Sequence, residues 1–188
     1  MRSGVSLPWG NAARGDALSS RNGWQVPAIL DAGFKLNKPL FVGLYLGVGY
    51  GSSGESPRVA ELCAQSGFDC SVFSYQLGVQ AQYHFGASEV FNPWLGYGLG
   101  YELVEQSLET DAYSETQTSS GFTFLKASLG VDYRSSALVG LGPFVEVSAG
   151  RFSASETTVD DQAVYEGPVE ESDWHGYLTF GIRMVLLP

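Results

Sequence analysis

The side chains of this sequence that could do chemistry are few and widely spaced. They are His84 and His175, Cys63 and Cys70, and isolated charged residues within apolar, glycine-rich segments. A histidine beside a serine and a carboxylate could act in acid–base or nucleophilic catalysis. No spacing marks such a set here, although Ser148, Ser153 or Glu146 could approach His175 from a neighbouring segment. We therefore predict no catalytic residues.

The two cysteines lie in a polar stretch with six residues between them. A structural metal site needs about four ligands, and neither histidine is near them in the sequence. We predict a Cys63–Cys70 disulfide in preference to two free thiols, which implies an oxidising compartment such as a periplasm or cell surface. We predict no metal and no cofactor.

The composition indicates one domain over residues 1–188 and excludes several classes of protein. Aromatic residues make up 13% of the chain, there are 24 glycines, and charged residues make up 16%. A net charge of −10 disfavours a nucleic-acid partner. No run of about 18 apolar residues predicts a transmembrane helix. The opening MRSGV lacks the apolar region of a signal peptide, so we expect a mature or trimmed chain with an added methionine.

Strict alternation of side chains predicts β-strands. In FNPWLGYGLGYE (91–102) the odd positions are apolar or aromatic, and the even positions are mostly glycine and end at Glu102. The same period of two recurs along the chain, and it is typical of strands and not of helices. Eight strands are predicted, at about 2–9, 24–36, 40–51, 72–85, 92–107, 121–133, 138–151 and 174–187.

The connections between these strands alternate in length. Short turns are predicted at 37–39, 86–90 and 134–137, and long polar loops at 10–23, 52–71, 108–120 and 152–173. This pattern indicates an eight-stranded antiparallel up-and-down β-barrel with four long loops on one rim and three short turns on the other. Most strands exceed the 9–11 or so residues of a tilted membrane-crossing strand.

The alternating pattern fits a transmembrane barrel better than a soluble ligand-binding barrel. The lumen of an eight-stranded barrel holds only interlocking side chains or one small ligand. Leucine, tyrosine and phenylalanine all pointing inward would overfill it, and the outer surface would be glycine and scattered glutamine. We therefore predict an apolar outer surface facing lipid and a lumen packed with glycine and polar side chains.

Aromatic residues on the predicted outer face cluster at the two ends of the strands, as interfacial girdles do. At the long-loop end they are Trp9, Trp24, Tyr50, Phe73, Tyr75, Tyr101 and Trp174, and at the short-turn end Phe34, Tyr83, Phe85 and Tyr133.

The whole chain resembles the small outer-membrane β-barrels of Gram-negative bacteria, of the OmpA and OmpX types, in motifs such as FNPWLGYGLGYE and FLKASLGVDYR. The segment TFGIRMVL (179–186) resembles the signal read by the barrel-assembly machinery, with Thr179, Gly181, Met184 and Leu186 at the required spacing. The resemblance implies an integral outer-membrane protein with extracellular loops. Some relatives of this kind modify lipid A through a histidine at the outer rim, and His84 is at the opposite rim.

Charged residues on the predicted inner face form a candidate network in the lumen. Glu102, Lys126 and Glu146 have similar predicted depths on three consecutive strands, so Lys126 is expected between two carboxylates. A buried charge is costly without such partners. The other members are Asp31, Lys35 and Arg183.

We predict a structural or surface-interaction role, with acidic loops displayed outside the cell. The alternatives are a narrow channel or carrier for ions or small solutes, a lipid-modifying enzyme and a soluble barrel. The acidic segment 153–173 could collect divalent cations or bind a basic partner, or it could be a solvated loop. The expected partners are membrane lipid, lipopolysaccharide and the assembly machinery, and the protein is expected to be a monomer.

Overall fold

The computed structural model describes residues 1–54, 56–65, 67–110, 113–134, 138–160 and 162–186. Within them lie ten strands and two short helices, and neither helix is long and apolar enough to cross a membrane. The elements are β1 (Arg2–Ala13), β2 (Asp16–Ala17), α1 (Leu18–Arg21), β3 (Asn22–Lys35), β4 (Leu40–Ser53), α2 (Pro57–Cys63), β5 (Asp69–His84), β6 (Phe91–Thr110), β7 (Tyr113–Arg134), β8 (Val139–Val159), β9 (Gln162–Pro168) and β10 (His175–Leu186). The predicted end of the last strand at residue 187 lies outside the described residues.

Eight of these strands close into a ring. Each of β1, β3, β4, β5, β6, β7, β8 and β10 pairs antiparallel with the next, and β10 returns to β1 with Arg183 opposite Arg2 and His175 opposite Gly10. Closure gives every strand a hydrogen-bonded neighbour on both edges, whereas an open sheet would leave an unpaired edge on each of its two outermost strands. The predicted eight-stranded up-and-down barrel is confirmed.

The barrel is apolar outside and polar inside. Leu44, Leu77 and Leu95 are 57%, 58% and 51% exposed, whereas Gln80 is 6% exposed in the lumen. Alternating side chains point to opposite faces of a strand, so one face meets the lumen and the other meets the surroundings. The alternative of a soluble barrel with its apolar side chains around a ligand is therefore wrong.

A β-bulge changes the predicted facing of one aromatic residue. The alternation through 121–133 places Phe124 on the inner face beside Lys126. In the structure the registers shift between Gly98 and Gly100 and between Thr123 and Leu125, and both Phe124 and Leu125 are exposed. The extra residue of a bulge places two successive side chains on one face, so the prediction for Phe124 is wrong.

Strands β6, β7 and β8 run far beyond the other strands on the long-loop side. They are 20, 22 and 21 residues long, and β9 pairs with the outer part of β8. Much of the predicted loops 108–120 and 152–173 is therefore strand. The pairing continues as far as Thr110 opposite Tyr113. These segments lack an apolar face because they lie beyond the lipid-facing band, and they are rich in threonine, which favours strands.

The long-loop side of the lumen is covered by apolar side chains. Helix α1 brings Leu18 to complete burial, and Leu18 belongs to a buried cluster with Ala12, Val72, Val104, Phe152 and Tyr177. The backbone N–H of Gly54 donates to Arg21 and that of Ser56 to Ser20, which ties α1 to the segment before α2. The start of α2 is capped by the Ser56 hydroxyl, which accepts from the N–H of Val59. The predicted disulfide is confirmed, and it joins Cys63 at the end of α2 to Cys70 in β5.

A cross-braced lumen and an acidic outer sheet

Arg2 is the central cation of the lumen and links strands on opposite sides of the barrel. Its Nε and Nη2 donate to the two oxygens of Asp31 on β3, at 3.0 and 2.8 Å. Its Nη1 contacts Glu146 on β8, and Nη2 lies 3.5 Å from the side-chain oxygen of Gln80 on β5. Gln80 in turn donates to Asp31 at 2.6 Å. One buried guanidinium therefore joins four strands, and two carboxylates compensate its charge.

Lys126 braces the lumen at the same level. Its Nζ lies 2.7 Å from Oε1 of Glu146 and donates to the side-chain oxygen of Gln76 on β5 at 2.8 Å. The ammonium group also lies 4.9 Å from the ring centre of Tyr45 on β4, within cation–π range. Glu146 thus bridges two buried cations, Lys126 and Arg2.

The predicted placement of Lys126 between Glu102 and Glu146 is wrong for Glu102. On β7 the residue opposite Glu102 is Gly121, five positions from Lys126 toward the long-loop rim. Glu102 instead accepts from His175 Nε2 at 2.5 Å across the lumen. Pairing registers and bulges, which alternation does not reveal, set the depth of each side chain.

His175 lies in a buried, partly aromatic setting with no catalytic partner set around it among the described residues. Its ring stacks on Phe152 with centres 3.7 Å apart. The Ser148 hydroxyl accepts from the backbone N–H of Tyr177 at 3.0 Å, and Ser153 is exposed and donates to a backbone oxygen. Neither serine hydrogen-bonds to His175 within the described ranges, and Glu146 is held by its two cations.

The turn-side part of the lumen holds a second polar cluster. Arg183 donates to Gln82 at 2.7 Å, lies 3.7 Å from an Asp132 oxygen, and stacks over the Trp94 ring at 4.2 Å. His84 pairs with Asn92 at 2.8 Å. Arg183, Asp132, His84 and Asn92 line a cavity of about 690 Å³ at this rim.

Lys35 was expected in the lumen network, and the structure places it elsewhere. Its side chain is exposed at the mouth of that turn-side cavity, and it makes no ion pair with another described residue. The last residues of β3 lie at the rim, where solvent and not protein surrounds the side chain. Asp31 and Arg183, by contrast, belong to the buried network.

The outer parts of β6, β7 and β8 form with β9 a protruding sheet, here called the outer sheet, made of residues 103–110, 113–120, 152–159 and 162–168. The sequence stretches 103–120 and 152–173, which contain this sheet, hold eleven of the 20 acidic residues of the chain and none of the ten lysines and arginines. The acidic residues are Glu105, Glu109, Asp111, Glu115, Glu156, Asp160, Asp161, Glu166, Glu170, Glu171 and Asp173. The net charge of the protein is thus concentrated in this part of the chain.

The base of the outer sheet is tied to β1. Asp173 accepts from the Asn11 amide at 3.0 Å and from the backbone N–H of Trp174 at 2.8 Å. These hydrogen bonds hold the pKa of Asp173 below its ordinary value, because they favour the charged carboxylate. Backbone N–H groups of Asn11 and Arg14 donate to Trp174 and Glu171, both at 2.8 Å.

The predicted girdle aromatics all lie exposed on the outer surface. This holds for Trp9, Trp24, Tyr50, Phe73, Tyr75, Tyr101 and Trp174 toward the long-loop rim and for Phe34, Tyr83, Phe85 and Tyr133 toward the other. Several are in ring contact, such as Tyr50 with Phe73 and Tyr83 with Phe85, both at 5.0 Å. Phe122 and Phe124 belong to the long-loop girdle as well and contact each other at 6.3 Å.

The residues of the predicted assembly signal alternate across the wall of the barrel on β10. Thr179 is buried and hydrogen-bonds the Ser6 hydroxyl at 2.7 Å, and Gly181 packs between Gly4 and Phe144. Met184 and Leu186 are exposed on the outer surface. Their recognition by the assembly machinery stays a prediction.

Sequence reasoning missed the central role of Arg2, the His175–Glu102 pair and the apolar cover of the lumen. Arg2, Glu102 and His175 all fall on the inner faces of their predicted strands, but alternation does not reveal which of these side chains meet. Val104 lies near the end of the predicted strand 92–107, and Phe152 lies just past the end of the predicted strand 138–151. Both continue the inner face of their strands, but alternation so close to a strand end did not identify them as lumen residues.

An outer apolar band with two aromatic girdles, strand closure and a polar lumen define a transmembrane β-barrel of the outer-membrane type. Known structures agree with this class. The chain is similar to a major outer membrane protein from Thermus thermophilus, with 14% identity, a TM-score of 0.52 and coverage of 99% of both chains. At this identity the similarity concerns the fold alone.

Two further solved structures are similar to this chain at lower scores. Neisserial surface protein A (NspA) is 17% identical, with a TM-score of 0.46 and coverage of 99% of this chain and 95% of that one. Ail, the attachment invasion locus protein of Yersinia pestis, is 10% identical, with a TM-score of 0.43 and coverage of 98% and 95%. No protein-family model matches the chain, and no curated protein matches it significantly.

Proposed function

We propose that this chain is an integral barrel of a Gram-negative outer membrane that presents the outer sheet outside the cell for interaction with a basic partner. The observation that carries the proposal is the concentration of negative charge on an ordered sheet projecting beyond the girdle. The protein is proposed to act as a monomer, to contact membrane lipid and lipopolysaccharide, and to be inserted by the barrel-assembly machinery. It is proposed to have no enzymatic activity.

The reach and order of the outer sheet support this role. Nine residues of β6 (102–110) follow Tyr101, and at roughly 3.3 Å per residue they extend about 30 Å along the strand. Hydrogen-bonded pairing holds these residues in a defined shape, which solvated acidic loops would not need. An ordered projection of one charge sign attracts a partner of opposite sign and raises its rate of association.

The edge of the outer sheet favours an extended partner. Strand β9 pairs with β8 alone in the described part of the sheet, and Val164 and Tyr165 are exposed on it. An unpaired strand edge offers backbone donors and acceptors to an added strand. Glu166 within β9 and Glu170 and Glu171 after it favour lysine or arginine in that strand.

Binding of a synthetic peptide tests the proposal. The probe is an extended peptide of alternating lysine and valine, with a matched peptide of alternating glutamate and valine, added to the protein in nanodiscs. We expect the basic peptide to bind and the acidic peptide not to bind. The triple variant Glu166→Gln, Glu170→Gln and Glu171→Gln should weaken binding of the basic peptide. Glu89→Gln on the opposite rim is the control. Equal binding of both peptides, or equal loss in the control, would refute the interaction role.

The orientation is tested separately in cells. A cysteine introduced at Ser155, on the outer sheet, should react with a membrane-impermeant maleimide on intact cells, whereas one introduced at Ala87, in a short turn, should react only after lysis. The reverse pattern would place the outer sheet on the periplasmic side.

A narrow channel is the second candidate, supported by the cavity at the turn-side rim. Cross-lumen contacts oppose it at three depths: Arg183 with Gln82, Arg2 with Gln80, and His175 with Glu102. We expect no stepwise current in planar bilayers. Regular conductance steps that Lys126→Ala enlarges would favour the channel.

A further inference from the structure

Arg151 is an arginine on the lipid-facing surface at the long-loop girdle. It lies on β8 opposite Phe122 of β7, and its side chain is exposed. Its guanidinium stacks on the Trp174 ring at 4.6 Å, and Trp174 contacts Phe124 edge-on at 5.9 Å. A cation is thus held within the aromatic belt that marks the edge of the hydrocarbon.

The guanidinium of Arg151 has no ion pair or hydrogen bond to another described residue. Asp173 interacts with it electrostatically, but that carboxylate is engaged by Asn11 and by the backbone of Trp174. The stack on Trp174 covers one face of the guanidinium, and it leaves the N–H groups in the plane of the fork available. Five donors in a planar fork match a phosphate group.

We propose that Arg151, with Trp174 and Phe124, binds a phosphate group of an anionic lipid in the adjoining leaflet. The aromatic rings contact the upper acyl chains, and the guanidinium donates two parallel hydrogen bonds to phosphate oxygens. The position favours a lipid over a soluble anion, because the donors lie at the depth of lipid headgroups and the outer sheet above them repels soluble anions. The identification of that leaflet as the outer one, where the phosphates belong to lipopolysaccharide, rests on the proposed function.

The experiment measures lipid retention on the purified barrel by native mass spectrometry from detergent. The probes are lipid A with two phosphates, the same lipid with its phosphates removed, and inorganic phosphate as a competitor. We expect the wild type to retain the phosphorylated lipid, Arg151→Gln to weaken retention about tenfold, and Arg151→Lys to give an intermediate value, since lysine keeps the charge without the fork.

Arg14→Gln is the matched control. Arg14 is an exposed arginine on the same rim, paired with Glu171 at 3.7 Å and without a cation–π contact to any described aromatic residue, so its loss should leave lipid retention unchanged. Equal retention by wild type and Arg151→Gln, or an equal loss in Arg14→Gln, would overturn the proposal. Complete displacement of lipid by inorganic phosphate would also overturn it, in favour of a soluble anion site.

This readout does not depend on the orientation of the barrel or on the peptide partner. Periplasmic labelling of the outer sheet with intact Arg151-dependent retention would refute the orientation and leave the lipid site standing. Labelling of the outer sheet from outside the cell, together with unchanged lipid retention in Arg151→Gln, would refute the lipid site and support the orientation.

Discussion

Replacing Glu146 by glutamine tests whether the lumen is stabilised by charge compensation. Glu146 is 3% exposed, and its carboxylate contacts Arg2 and Lys126. Glutamine has nearly the same size, so the substitution removes the charge without opening a cavity. The glutamine side chain keeps one acceptor oxygen. Its NH2 group, however, is a hydrogen-bond donor that would face a buried cation, which is also a donor.

The expected cost follows from these contacts. A hydrogen bond to a charged group contributes about 1.5–3 kcal/mol, and breaking a buried charge pair costs about 3–5 kcal/mol. Arg2 keeps its bidentate pair with Asp31, whereas Lys126 keeps Gln76 and the Tyr45 ring. We therefore expect Glu146→Gln to lower the free energy of unfolding by about 3 kcal/mol, or roughly 10 °C in Tm by the scale of soluble domains of this size.

The assay is reversible urea unfolding in lipid vesicles, followed by tryptophan fluorescence. Glu156→Gln, on the exposed outer part of β8, is the control and should change the stability by less than about 0.5 kcal/mol. The double variant Glu146→Gln with Lys126→Met should lose less than the sum of the two single variants, since the orphaned ammonium group is gone. A change within about 0.5 kcal/mol for Glu146→Gln, or additive losses, would refute the charge-compensation argument.

Three further predictions concern packing, the disulfide and pH. A Cβ at Gly78 would lie 2.6 Å from the Tyr45 ring, so Gly78→Ala should cost about 1–3 kcal/mol in the same assay, whereas Gly47→Ala, with 3.5 Å to its nearest neighbours, should cost less. Replacing Cys63 and Cys70 by serine should make α2 sensitive to protease and leave the barrel Tm unchanged, because the bond ties α2 to the outer end of β5, where Cys70 pairs with Leu108 beyond the girdle; a large Tm loss would contradict this. Because the pKa of Asp173 is depressed in the folded protein, the stabilisation from its hydrogen bonds is complete above the ordinary pKa of 3.8 and is lost as the pH falls through the lower folded pKa. Proteolysis of the outer sheet should therefore accelerate at that low pH in the wild type, and Asp173→Asn should show no such acceleration.

Alternation in the sequence was sufficient to predict the ring of strands and the facing of most side chains. The period of two places Tyr45, Gln80 and Glu146 in the lumen and Leu77 and Leu95 outside, as the structure has them. The bulge at Phe124 was not predictable, since one extra residue leaves no compositional mark in an aromatic, threonine-containing segment. The outer sheet was interpreted as loops because strands above the membrane need no apolar face.

The amino-acid sequence by itself determined the class of this protein. The strands alternate strictly between apolar and small polar residues and are long enough to cross a membrane. In lipid, all of their backbone N–H and C=O groups find hydrogen-bond partners only if the sheet closes into a barrel, and the apolar face must then point outward. Tertiary structure alone decided which charges meet. Register, bulges and the tilt of the strands set the depth of each lumen residue, so Glu102 reached His175 on the far wall while Lys126 remained with Glu146.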